Sequence, residues 1–333
     1  MVKLRNCFVP IFAVQMVAFA ATDPGLLRLM MPDAKVVAGL QVTQTKNSLF
    51  GQFVLSHMQV EDDTFKKFMA QTGFDPRRDV SEIVMASNWE QATPESRWLV
   101  VARGNFNLSS ITSAATANGG VIVGFQGVNI LSYTPESKPD GKPQVASGIA
   151  FFDSSNAVMG DLSSVKAAIQ RKQSKASLNG TLMAKVRDLS AKNDFWFVTL
   201  VPISEFAGAM PDPNLSSAMK GNLLAAVHEA SGGIRFGDNI AISGEAVTRS
   251  DKDAEALVDV VKFVAGMVQL NRQNDKTVDK MATLLDTMEL KTAGNVMSMS
   301  LTIPERQLEQ MLEMMRQESH AARAKKTPPP QIN

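Results

Sequence analysis

The chain has 333 residues, 44% of them hydrophobic, with 34 basic side chains against 33 acidic ones. So even a balance gives no electrostatic footing for nucleic acid, and so much apolar content excludes a disordered chain except at its ends. A single cysteine, Cys7, excludes an internal disulfide and a thiolate metal centre.

Residues 1–20 read as an export signal. Lys3 and Arg5 form a basic start, Cys7 to Val17 an apolar run, and Ala18-Phe19-Ala20 a small-residue cleavage site before Ala21. The apolar run is shorter than the roughly 20 residues a membrane span needs, and Pro10 and Gln15 interrupt it. Cleavage removes the cysteine, so a cysteine nucleophile is excluded too. With Lys3 and Arg5 gone, 32 basic residues face 33 acidic ones and the net charge moves from +1 to −1. The expected location is exported, periplasmic or extracellular, with no transmembrane span after cleavage.

Asp23-Pro24-Gly25 and Met31-Pro32-Asp33 read as a linker, and Lys35–Val42 alternates as a strand. Ser48–Met58 and Asp63–Gln71 are expected helices, the second stopped at Gly73 by a residue type that accepts the left-handed conformation. Strands follow at Ile83–Ala86 and Trp98–Ala102, then a helix capped by Asn107 or Ser109 and running to Ala117. Val121–Phe125 and Val128–Tyr133 form a hairpin about Gln126-Gly127, Glu136 to Pro143 an exposed loop, and Gly148–Phe152 and Ala157–Met159 a second hairpin. A helix capped by Asp161 or Ser163 closes the first half.

The second half repeats that order. Leu182–Leu189 is helical, Phe195–Val201 a strand, and Ile203–Met210 and Leu215–Ala230 helices. Gly233–Phe236 and Ile240–Val247 pair through Gly237-Asp238-Asn239. The helix after Ser250 places Leu257, Val260, Val261, Val264, Met267 and Val268 on one stripe, which should lie against a sheet. A last hairpin, Asp286–Lys291 with Val296–Ile303, leads into a helix Glu305–Gln317 opened by Pro304.

The fold class expected is α+β: two tandem similar domains, each a largely antiparallel sheet with helices packed on one face. The boundaries are a signal peptide at 1–20, a first domain at 21–175, a second at 176–318 and a disordered tail at 319–333.

Candidate chemistry is sparse. His57, His228 and His320 do not share a metal-ligand spacing, and His228-Glu229 lacks the second histidine of a zinc protease motif. No nucleophile elbow, dinucleotide fingerprint or phosphate loop occurs, so no catalytic residue, cofactor or metal is expected. Asp251, Asp253 and Glu255 suit a helix start. Met297, Met299, Met311, Met314 and Met315 suit core packing.

The most distinctive string is Thr72-Gly73-Phe74-Asp75-Pro76-Arg77-Arg78-Asp79. Its two arginines are the one candidate contact for an anionic group or partner, because guanidinium groups bind oxyanions in pairs of hydrogen bonds. A helix stop at Gly73 and a cap at Asp75 account for the same residues structurally. Together with Met31-Pro32-Asp33-Ala34-Lys35-Val36-Val37-Ala38-Gly39 and Leu49-Phe50-Gly51, this string resembles uncharacterised exported proteins of acidobacteria-type bacteria, over residues 26–175. The resemblance implies an exported α+β protein and supplies no catalytic residue.

The expected role is a non-catalytic binding or interaction protein of the bacterial cell envelope, its partner an envelope protein or apolar ligand. A carrier of an apolar small ligand or lipid comes second, and a hydrolase-type enzyme with an unrecognised site third.

Overall fold

The computed structural model describes residues 21–57, 63–89, 97–133, 146–173, 180–209, 224–270, 272, 276–310 and 313–314. The signal segment, the Glu136–Pro143 loop, the start of the expected Leu215–Ala230 helix, the end of the expected Glu305–Gln317 helix and the tail lie outside them.

Twelve strands form one antiparallel sheet. The first half contributes β1 (Val36–Gln41), β2 (Val80–Ser87), β3 (Trp98–Gly104), β4 (Val121–Phe125), β5 (Val128–Tyr133), β6 (Ser147–Asp153) and β7 (Asn156–Asp161). The second contributes β8 (Phe195–Thr199), β9 (Val227–Arg235), β10 (Asn239–Thr248), β11 (Glu289–Ala293) and β12 (Val296–Pro304). Their spatial order is β11-β12-β10-β9-β8-β1-β2-β3-β7-β6-β5-β4. The halves meet where β1 pairs with β8, from Val36 opposite Thr199 to Leu40 opposite Phe195. A single sheet therefore runs through both.

Alternation along each strand divides the side chains between two faces. On the closed face Val37, Val84, Leu99, Val101, Ile130, Ala150, Val158, Trp196 and Val198 lie under helices α1 (Pro24–Leu29), α7 (Leu162–Gln173) and α8 (Gly180–Lys192). Beyond β9 the same face turns polar, with Ser243, Glu245, Ser300 and Lys291 exposed. The opposite, open face carries α2 (Val42–Asn47), α4 (Asp63–Thr72), α5 (Pro76–Asp79) and α6 (Leu108–Ala117) near the first half, and α9 (Asp251–Leu270) and α10 (Lys276–Leu285) over the second, where Phe50 of α3 (Leu49–His57) also packs.

Helices thus lie on both faces, where the sequence reading placed them on one. Two further expectations are corrected. The linker at 23–33 contains α1, capped by Asp23, and its Leu26, Leu27 and Leu29, with Met30 and Met31 after it, belong to the main core. The expected helix through Ala230 gives way at Val227 to β9, where pairing with both β8 and β10 holds the backbone extended.

A buried polar chain ties the seam on the closed face. The Glu82 carboxylate accepts from Asp23 N at 3.2 Å and Gln41 Nε2 at 2.8 Å. Trp196 Nε1 donates to Thr22 Oγ1 at 3.3 Å, and Asp194 accepts from Phe236 N at 2.7 Å. Burial pushes both the Glu82 and Asp194 carboxyls above their ordinary values. Glu305 also joins distant parts of the chain: its buried side chain accepts from Ser48 Oγ at 2.9 Å and from Phe50 N at the start of α3.

Candidate functional site

The turn holding Arg77 and Arg78 is built as its residue types suggest. Gly73 ends α4 with φ +68° and donates its N–H to Met69 O at 2.8 Å. Asp75 caps α5 by accepting from Arg77 N at 3.0 Å, with Pro76 in the first helical position. Phe74 packs against Phe106, ring centres 6.0 Å apart.

Both guanidinium groups are engaged within the turn. Arg77 Nε and Nη2 donate to the two Asp75 carboxylate oxygens at 3.0 and 2.8 Å. Arg78 donates likewise to Asp79, twice at 2.7 Å, and to Gly73 O. Arg77 holds the Asp75 carboxyl below its ordinary value, and Arg78 does the same for Asp79. An anion at Arg77 or Arg78 would compete with these fork-shaped pairs.

The middle of the open face is different. Reading across the register, Phe197 lies opposite Ala38, Ala38 opposite Met85, Met85 opposite Val100, Val100 opposite Met159, and Met159 opposite Ile149. This is an unbroken apolar row over six strands. Trp98 stands two residues from Val100 on the same face. Met85 is 46% exposed, Met159 40% and Trp98 37%, and Ala38, Val100, Ile149 and Phe197 are half-buried.

Two packed clusters border the row. To one side, Leu40, Ile83, Ala102, Ala157 and Phe151 pack with Phe106 and Ile111. Over the second half, Ala230, Ala246 and Met297 pack under Ala254, Leu257 and Val258 of α9. Of the row only Phe197 is packed against a cluster, that of α9. Among the described residues these helices leave the centre of the open face exposed, and α3 of the first half reaches the second, where Phe50 packs with Phe236, Ile240 and Ile303.

No protein-family model matches the chain, and no curated protein matches it significantly. A solved structure titled "Structure of crystal form I of TP0453" is similar over 88% of this chain and 97% of its own, with 10% identity and a TM-score of 0.49. That likeness is too distant to carry a role across.

Helix α9 adds a second exposed apolar surface and corrects the expectation that its whole stripe meets the sheet. Ala254, Leu257 and Val258 are buried, but Val260 is 46% exposed, Phe263 66% and Leu270 84%, with Val264 and Met267 also exposed. The C-terminal part of α9 is held instead by α10, where Gln269 Nε2 donates to Ala282 O and Asp286 Oδ1, both at 2.9 Å. No described helix is long and apolar enough to cross a membrane. Among the described residues no three His, Cys, Asp or Glu side chains form a metal-binding group.

Sequence reasoning missed the open row. Its members lie in six strands spread from residue 38 to 197, and each is an ordinary strand residue on its own. The signal that could have found it is the pairing register, which a single sequence does not display.

Proposed function

We propose that this is an exported, non-catalytic interaction protein of the bacterial cell envelope whose partner is another protein seated on the open face of the sheet. The observation that carries the reading is the row Ala38–Met85–Val100–Met159–Ile149 with Trp98 beside it, which none of the described core clusters covers. A contiguous exposed apolar patch is the usual mark of an interaction surface. Methionine side chains adapt to a partner's shape, and tryptophan is enriched among residues that dominate binding energy. Export rests on the basic start, apolar run and Ala18-Phe19-Ala20 site.

Carriage of an apolar small ligand is supported less. A carrier encloses roughly 70–90% of its ligand's surface, whereas this row lies on an open sheet and the opposite side of the seam is filled by Trp196 and Val198. The test is capture from the native envelope by the mature protein, with mass spectrometry of proteins and lipids, beside a Met85→Glu, Met159→Glu variant. A protein recovered with the wild type and lost with the variant is the expected result. Loss of a lipid instead would favour the carrier, and identical captures would refute the site.

We infer further that the two halves are copies of one unit. Outward from the seam, the order β1-β2-β3-β7-β6 is matched by β8-β9-β10-β12-β11. In each half a helix, α6 or α9, follows the third strand and packs on the open face. The hairpin β4–β5 is then an addition to the first half. Separately expressed halves that fold and reassociate through β1 and β8 would support this, and a first half that stays unfolded alone would count against two domains.

A further inference from the structure

On the closed face, opposite the apolar row, a cleft of about 340 Å³ opens between α1, α7 and the ends of β3, β6 and β7. Four cationic side chains line it: Arg28 of α1, Arg103 of β3, and Arg171 and Lys172 of α7. Two carboxylates, Asp23 and Asp153, share the lining, which leaves two positive charges in excess. Both carboxylates have local duties. Asp23 caps α1 and pairs with Arg103, and Asp153 accepts from Ser155 N at 2.8 Å and Asn156 Nδ2 at 3.0 Å.

The cations are held in place rather than dispersed. Arg171 donates Nε and Nη2 to Leu29 O at 3.1 and 2.9 Å, which fixes its half-buried guanidinium beside the cleft. Lys172 Nζ stands 4.3 Å from the centre of the Phe152 ring, a cation–π contact that draws the ammonium over the cleft wall. Phe152, Leu26 and Leu29 give the same cleft an apolar side. Its volume falls at the small end of ligand pockets, which run from roughly 300 to 1,000 Å³.

We propose that this cleft binds a small phosphate-type oxyanion carrying a short apolar or aromatic body. The oxyanion sits among Arg28, Arg171 and Lys172, with Arg103 held by Asp23 at the cleft edge, and the body lies against Phe152. Guanidinium and ammonium groups that line one cleft can make charge-assisted hydrogen bonds to such an anion.

The experiment is isothermal titration of the mature protein with phenyl phosphate and with inorganic phosphate at constant ionic strength. Phenyl phosphate should bind saturably in the submillimolar range and more tightly than phosphate. Lys172→Glu and Arg28→Glu alter exposed residues and should each weaken it at least about tenfold, since a charge-assisted hydrogen bond is lost and a carboxylate is set against the anion. Phe152→Leu should erase the preference for the phenyl ester. Lys291→Glu, on the remote β11, should change nothing. Phosphatidylglycerol vesicles provide the second arm: retention abolished by Lys172→Glu assigns a lipid headgroup, and binding confined to the soluble ester assigns a free ligand. Absence of saturable binding in both arms, or equal binding by wild type, Lys172→Glu and Arg28→Glu, overturns the proposal.

Discussion

Gly39 faces Trp196 directly across the β1–β8 seam, and the indole fills the space a side chain would need. A Cβ built at Gly39 stands 2.4 Å from both Cε2 and Cζ2 of the ring and 2.7 Å from Nε1. Ordinary contact would require a shift of about 1 Å, and the ring is fully buried in the largest core cluster, its Nε1 donating to Thr22 Oγ1. Gly39→Ala should therefore cost about 1–3 kcal/mol of stability, the range for overfilling a packed core. Trp196→Phe in the same chain removes the obstructing ring, so the double variant should be more stable than the sum of the single effects implies, by about 1 kcal/mol. Urea denaturation followed by far-ultraviolet circular dichroism measures all four proteins without depending on the tryptophan signal. A Gly39→Ala protein within about 0.5 kcal/mol of wild type, or effects that simply add, would refute the packing argument at the seam.

Other predictions test separate parts of the structure. Glu82 has its carboxyl pushed up by burial, so native protein binds its proton more tightly than unfolded chain and that contribution to stability is lost as pH rises through the window above the usual glutamate value. Glu82→Gln keeps an acceptor for Asp23 N and Gln41 Nε2; its stability relative to wild type should grow from pH 4 to pH 7, and a pH-independent difference in thermal melts would contradict this. Glu305→Ala removes the acceptor for Ser48 Oγ and Phe50 N and should destabilise by about 1–2 kcal/mol, the effect of losing a helix cap, as read from urea midpoints. Met85→Gln, at a 46% exposed position, should leave stability within about 0.5 kcal/mol of wild type while weakening partner capture.

Much of the chain order could be read from local pattern. The hairpin at Gln126-Gly127 has positive φ at both central residues, as its sequence and length suggest, and the caps at Asn107 and Asp75 form where a side-chain acceptor precedes a helix. What failed was decided by tertiary contact. Leu26 to Met31 form too short a run to display a helical period, and Pro24-Gly25 looks like punctuation, yet α1 seals the closed face. Periodicity identifies the apolar stripe of α9 but carries no information on where the sheet beneath it ends, so Val260, Val264 and Met267 of that stripe emerge exposed. The Arg77 and Arg78 turn was conspicuous because capping, proline and paired charges occur together. The open row was invisible because strand register brings its members into line.

The central claim is that the open row receives a protein partner. The most direct measurement is photo-crosslinking in the native envelope, with a photoreactive amino acid at position 85 or 159 of the open face and, as control, at Ser300 on the polar side of the sheet. A discrete protein adduct at 85 and 159 that is absent at 300 is the predicted result. Adducts at 300 alone, or none at 85 and 159, would contradict the account.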